Sequence, residues 1–231
     1  MRTSIKIFVT SLILCTACTA FGAGGGEMSP QRLGADPNAA RKLSPEDLAR
    51  IQYNYGVKAV GKADDLSADA ARQTDAKKKA KLDAKARSAY NAALQRFLKA
   101  TELHRGMHEA WNYVGYTSRK LGKYDDALLA YDRALSLKPG YPEAIEYRAH
   151  AYLGLNRLSE AKEAYLTLYA GNRKLAAQLL AAMKAWVGDH RGNPAGIDGA
   201  MLESFASWVS ERSTIAGQTV GLTREGASAA W

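Results

Sequence analysis

The sequence predicts an all-α protein, a right-handed α-solenoid in which helix–turn–helix units stack in an array. Three observations support this fold class. A pattern of small and large residues recurs after 34 residues, between residues 108–141 and 142–175. Apolar residues inside each unit recur at helical spacing, and glycine or proline marks the helix ends. Because one helix pair cannot bury its own apolar face, neighbouring pairs must stack.

Composition and charge set limits on the function. The chain has 231 residues, of which 47% are hydrophobic and 24% charged, as in globular proteins. The formal net charge is +9, but residues 72–105 alone hold ten basic and three acidic residues. Because this one segment carries most of the basic excess, the overall charge does not indicate a nucleic-acid-binding fold. We expect no nucleic-acid partner.

The first complete unit, residues 108–141, carries seven residues at the positions of a known repeat pattern: Trp111, Val114, Gly115, Ala127, Tyr131, Ala134 and Pro139. Ser118 departs from the pattern. The unit resembles the tetratricopeptide repeat, and residues 142–175 repeat it with a less typical end. The resemblance implies an array of about three repeats.

The spacing has a physical reason within each unit. Small residues at Gly115 and Ala127 allow the two helices to approach closely, and large side chains such as Tyr131 fill the space around that contact. Gly122 is expected to end the first helix, and Asp125 can cap the second.

A first repeat, residues 44–105, is predicted to be split. Ser44 is a good N-cap for its first helix, and the stretch around Gly56 resembles the stretch around Gly115. The second helix carries Ala93, which lies 37 positions after Gly56 instead of 12. We therefore expect about 25 inserted residues, at about 63–87, since repeat arrays tolerate insertions in their loops.

The insertion is rich in lysine and alanine. It is expected to extend the second helix backwards as a solvated, charged helix. Two interpretations stay open: a soluble spur without a partner, or a docking arm for an anionic surface such as acidic lipid headgroups. We call its five lysines the basic arm: Lys77, Lys78, Lys79, Lys81 and Lys85.

The C-terminal part is predicted to close the array. Residues 176–187 continue a helix that covers the last repeat, and residues 188–217 form a loop and an amphipathic helix. Residues 218–231 are small and polar and are expected to be a disordered tail. The apolar face of the amphipathic helix is expected to hold Met201, Phe205, Trp208 and Val209.

The N-terminus has the pattern of an export signal. Two basic residues precede a short apolar run and small residues, which predicts a secretory signal peptide over residues 1–23. A flexible segment, 24–43, follows. The alternative is a lipoprotein acylated on Cys18, although the residues before this cysteine fit such a site poorly. The composition favours a bacterial protein, so we expect a periplasmic location, with a lipid-anchored or secreted protein as alternatives.

No catalytic pattern is found, and we expect a non-enzymatic protein without cofactor or metal. His104 and His108 have metal-ligand spacing only if they share one helix, and the sequence supplies no third ligand. Some repeats of this type bind a peptide C-terminal carboxylate, and Asn112 and Arg119 could contribute to such a site here. Glu143 and Glu146 oppose that ligand, so it is not predicted.

The resemblance to the tetratricopeptide repeat implies a concave face, lined by the first helix of each repeat, that binds another protein or a peptide. Tyrosine- and asparagine-bearing surfaces suit peptide recognition. A membrane-apposed envelope assembly factor, tethered through Cys18 or the basic arm, is the alternative function, and the oligomeric state stays open. The predicted groove residues are Tyr53, Asn54, Asn112, Tyr113, Tyr116, Arg119, Glu146, Tyr147 and His150.

Overall fold

The computed structural model describes residues 43–192 and 196–228. Within these ranges the chain forms eight α-helices and no strands, which confirms the predicted all-α array. Consecutive helices pack as pairs, and each pair packs on the next. The helices are α1 (Pro45–Arg72), α2 (Ala76–Leu103), α3 (His108–Lys120), α4 (Tyr124–Leu137), α5 (Pro142–Gly154), α6 (Leu158–Gly171), α7 (Arg173–Gly192) and α8 (Gly199–Ser228).

The helix ends follow local sequence signals, with one exception. Ser44 caps α1, since its hydroxyl accepts a hydrogen bond of 3.0 Å from the Asp47 backbone N–H. Gly122, at φ +79°, ends α3 as predicted. Asn156 has the same role after α5, at φ +57°, because asparagine tolerates the left-handed region better than most residues. Asp125 lies inside the first turn of α4 and is not its N-cap.

Glycines on the first helices allow aromatic rings of the second helices to lie against the backbone. A β-carbon at Gly115 of α3 would stand 2.5 Å from the Tyr131 ring of α4. A β-carbon at Gly56 of α1 would stand 2.6 Å from the Phe97 ring of α2. Both rings are completely buried. The helix separation in these two pairs is therefore set by ring-on-glycine contacts.

The first pair corrects the predicted split repeat. α1 and α2 are each 28 residues long, and three residues, 73–75, join them. The extra residues that the sequence assigns to an insertion at about 63–87 therefore lengthen both helices, and not the second alone. Both helices are long because Ala63, Ala70 and Ala86 are buried. These small side chains allow α1 and α2 to stay packed beyond the length of an ordinary repeat.

The fourth pair, α7 and α8, covers the end of the array. Its side chains join those of α5 and α6 in one buried cluster. The Trp186 ring of α7 packs edge-to-face on Phe205 of α8, with ring centroids 5.3 Å apart. The Trp186 indole N–H donates a hydrogen bond of 2.9 Å to the Leu153 carbonyl of α5. The buried Trp186 indole thus connects the α7–α8 pair to the third repeat.

Three details of this last pair differ from the sequence-based expectation. α7 is longer than the predicted helix over 176–187. Met201 is 49% exposed, while Leu202 is buried in its place, so the apolar face of α8 is offset by one residue at its start. The backbone of α8 is helical as far as Ser228, which includes most of the predicted disordered tail over 218–231.

The predicted signal peptide over 1–23, Cys18 and the flexible segment before Leu43 lie outside the described residues. Within the described ranges, no helix combines the length and the apolar character needed to cross a bilayer.

Replacing Gly115 by alanine should destabilise the protein by about 1–3 kcal/mol, because the new methyl group must displace the buried Tyr131 ring. The matched control is Gly61→Ala on α1, where a β-carbon meets nothing within 4 Å. This control should be neutral or stabilising by up to about 1 kcal/mol, since alanine favours helix. Urea unfolding followed by circular dichroism measures both changes, and equal effects of the two substitutions would contradict the ring-on-glycine account.

Candidate functional site

Tyrosine rings form a continuous row across three neighbouring first helices. The ring centroids of Tyr53 of α1 and Tyr113 of α3 are 5.6 Å apart. The centroids of Tyr113 and of Tyr116, one turn further along α3, are 6.1 Å apart. Tyr116 lies 5.2 Å from Tyr147 of α5. All four side chains are half-buried. With Tyr141, which precedes α5, we call this surface the tyrosine face.

The row stands on a buried ring of the second helix. The ring centroid of Phe97 of α2 lies 5.8 Å from that of Tyr53 and 4.9 Å from that of Tyr113. The Phe97 ring stacks on the Tyr113 ring. Each such aromatic pair contributes about 0.5–1.5 kcal/mol beyond the area that it buries. Because Phe97 itself fills the space above Gly56, the packing inside the first helix pair positions the rings on its surface.

The tyrosine hydroxyls are held in the neutral form. Burial raises the pKa of Tyr53, Tyr113 and Tyr116 above the usual value of about 10. Burial also raises the pKa of Tyr141 to about 12, and the carboxylates of Glu143 and Glu109 add to this rise. The face therefore presents uncharged phenol rings at neutral pH.

Charged groups border these rings. The Arg119 guanidinium lies 5.2 Å from the Tyr116 ring centroid, and the Lys138 ammonium lies 4.7 Å from that of Tyr141. Glu109 is 3.2 Å from the His108 imidazole. These contacts place both signs of charge at the edge of an aromatic surface.

The structure separates the predicted groove residues into accessible and inaccessible ones. The four tyrosines form the row, Arg119 lies over it, and Asn54 is exposed beside Tyr53. Asn112 and Glu146 are only 2% and 5% exposed. Both lie at the same repeat position, 34 residues apart, and their burial leaves a partner little surface to contact. Glu146 is bonded internally to the His150 imidazole at 2.7 Å.

The basic arm lies in the first turns of α2. All five of its lysines are exposed, and Asp75 caps the helix by accepting hydrogen bonds from the backbone N–H groups of Lys77 and Lys78. Lys79 forms an exposed ion pair of 2.9 Å with Asp83. Within the described part of the chain, no other lysine of the arm has an ion pair.

Sequence reasoning missed the contact that ties the long first pair to the second pair. The Asp64 carboxylate of α1 accepts hydrogen bonds from the hydroxyls of Tyr90 of α2 and Tyr116 of α3. The Lys120 ammonium lies 3.6 Å from the same carboxylate. The sequence signal for this contact was Asp64 itself, since it follows Ala63, an alanine on the face of α1 that the structure buries. The sequence predicts an insertion from about residue 63 onward, and this interpretation places Asp64 outside the repeat and hides its contact with Tyr116.

No group of three or more histidine, cysteine, aspartate or glutamate side chains that could hold a metal ion occurs in residues 43–192 and 196–228. His104 follows α2 and His108 begins α3, so the two histidines do not share a helix.

Residues 108–141, which form α3 and α4, match the family model of the tetratricopeptide repeat. No curated protein matches the chain in sequence. The repeat match and the packed helix pairs make the fold an all-α array of the tetratricopeptide type. Repeats of this type generally mediate protein–protein interaction, and folds built from them are typically non-catalytic scaffolds.

Replacing Asp64 by alanine should destabilise the protein by about 1–3 kcal/mol, because two tyrosine hydroxyls lose their acceptor. The adjacent Asp65 is exposed, so Asp65→Ala should change the free energy of unfolding by no more than about 0.5 kcal/mol. A double-mutant cycle with Tyr116→Phe, measured by urea unfolding, should show coupling between Asp64 and Tyr116. Strictly additive effects would refute the role assigned to this carboxylate.

Proposed function

We propose that the protein is an exported, non-catalytic scaffold that binds a peptide or protein segment on its tyrosine face. The observation that carries this proposal is the row of half-buried rings from Tyr53 to Tyr147 across α1, α3 and α5. The first helices of tetratricopeptide-type repeats line the concave side of the array, where a segment from another protein can be held.

The physical properties of the row suit recognition. A tyrosine side chain has only two rotatable torsions, and here its neighbours already restrict them, so a partner loses little conformational entropy by packing on it. The exposed half of each ring offers apolar surface, and the hydroxyl can bond to a peptide backbone. Exposed Asn54 and Glu143 add polar groups at the edge of the face.

The proposal includes export to the periplasm, which rests on the pattern of residues 1–23: basic residues, a short apolar run and then small residues.

A photo-reactive p-benzoylphenylalanine at Glu143 should form covalent adducts with the partner in the native envelope fraction. The same group at Leu129 of α4, which is 71% exposed, is the matched control because it lies on a second helix away from the tyrosine face. We expect adducts at position 143 and none at 129, with mass spectrometry identifying the bound segment. Equal labelling at both positions, or labelling at 129 alone, would contradict the proposed binding face.

A second proposal, a membrane-apposed envelope assembly factor, is favoured by one observation, the exposure of the basic arm. Lys77, Lys78 and Lys81 lie close together on one helix end without ion pairs among the described residues. Each basic residue near an anionic bilayer contributes about 1 kcal/mol. Acylation of Cys18 is the other tether in this proposal, and the intact mass of the mature chain tests it directly.

For the second proposal, Lys77→Gln/Lys78→Gln/Lys81→Gln should weaken binding to phosphatidylglycerol vesicles by about two orders of magnitude, as three such contacts imply. The control replaces three exposed lysines elsewhere, Lys58, Lys123 and Lys174, by glutamine. Sedimentation with vesicles measures both variants, and phosphatidylcholine vesicles provide the uncharged reference. Binding that falls equally in the two variants would refute a specific role of the arm.

A further inference from the structure

We propose that the tyrosine face selects cationic partners, namely an extended peptide segment that carries lysine or arginine side chains. This inference rests on the proposed function and adds the chemical class of the partner. It follows from the carboxylates around the rings and from which rings already hold a cation.

Two carboxylates lie near the rings of the face. Glu109 lies at the start of α3, and Glu143 at the start of α5, the corresponding place in the next repeat. Both act electrostatically on Tyr141, and Glu109 also acts on Tyr53. Glu143 is exposed and has no hydrogen bond or ion pair among the described residues. A ligand in this position therefore meets two accessible negative charges beside aromatic rings.

The cations near the face are already engaged. Arg119 lies over the Tyr116 ring at 5.2 Å, and Lys138 lies over the Tyr141 ring at 4.7 Å. Lys120 lies 3.6 Å from the Asp64 carboxylate. The imidazoles of two histidines contact Glu109 and Glu146 and are cationic only when protonated: His108 and His150.

Three rings of the face are open to a further cation. In the described ranges, no lysine or arginine lies over Tyr53, Tyr113 or Tyr147, although the neighbouring Tyr116 ring holds two cations and the Tyr141 ring holds one. A cation over an exposed tyrosine ring strengthens binding about 2- to 5-fold. Several such rings beside Glu109 and Glu143 favour lysine and arginine over neutral side chains.

The same geometry disfavours an acidic segment or a peptide C-terminal carboxylate. Asn112, which could donate to a carboxylate, is 2% exposed, and the Arg119 guanidinium is directed at the Tyr116 ring. An anion on the face would also lie close to Glu109 and Glu143. Charge complementarity therefore points to one class of occupant.

The test selects peptides from a random phage-displayed library on the immobilised mature protein and measures the affinity of the selected sequences by fluorescence anisotropy. We expect enrichment of lysine and arginine. Glu109→Gln/Glu143→Gln should weaken binding about 5- to 30-fold, as expected for the loss of two exposed charge pairs. The control, Glu102→Gln/Glu163→Gln, makes the same charge change at exposed positions of α2 and α6 and should leave the affinity unchanged.

A third variant, Asn54→Arg, blocks the face at an exposed position without removing a ring from the packed row. Acidic or neutral peptides that bind the protein and are lost in Asn54→Arg would overturn the inference but leave peptide binding on this face intact. Selected peptides that bind all variants equally would overturn both the inference and the proposed function. If the protein self-associates through the basic arm and this association excludes the peptides, a second copy of the chain occupies the tyrosine face. That result would also overturn the inference.

Discussion

The contact between a buried aromatic ring of one helix and a glycine of its partner is the constraint on which the rest of the structure depends. Tyr131 lies on Gly115, and Phe97 lies on Gly56, with no space for a β-carbon at either glycine. These contacts set the distance between the helices of a pair, and that distance decides which residues of the first helix remain at the surface. Since each pair must cover the apolar face of the next, a change of spacing in one pair would be transmitted along the array.

The candidate binding face is a consequence of this packing. Phe97 contacts the backbone at Gly56 on one side and the rings of Tyr53 and Tyr113 on the other. The proposed binding face is thus supported directly by the core of the first pair. Asp64 adds a polar connection, since it binds the Tyr116 hydroxyl and joins the extended part of α1 to α3. The rings are therefore held in place before any partner binds, which lowers the entropic cost of binding.

Charged groups border two different surfaces of the molecule. The tyrosine face is bordered by Glu109 and Glu143 and by two cations that lie over its rings, whereas the basic arm exposes lysines at the start of α2. Long-range attraction toward a cationic segment and toward an anionic surface can therefore act at different places on one chain. Both attractions weaken as salt is added, because the Debye length at physiological ionic strength is only about 8 Å. Under the two proposals, the tyrosine face would hold a partner segment and the basic arm would orient the protein on an anionic surface.

The sequence by itself determined the helical array, the glycine at the end of α3 and four of the five tyrosines of the face, because period, turn chemistry and residue type are local properties. Tertiary structure decided the rest. Asn112 occupies a predicted groove position but is buried, and repeat spacing alone does not report such burial. The extra residues near Ala63 lengthen both helices of the first pair and not the second alone, because the division of a polar, alanine-rich stretch between two helices depends on the surfaces that pack together. The hydrogen bonds of Asp64 with Tyr90 of α2 and Tyr116 of α3 could not be predicted either. Contacts between residues distant in sequence form only when the helices pack.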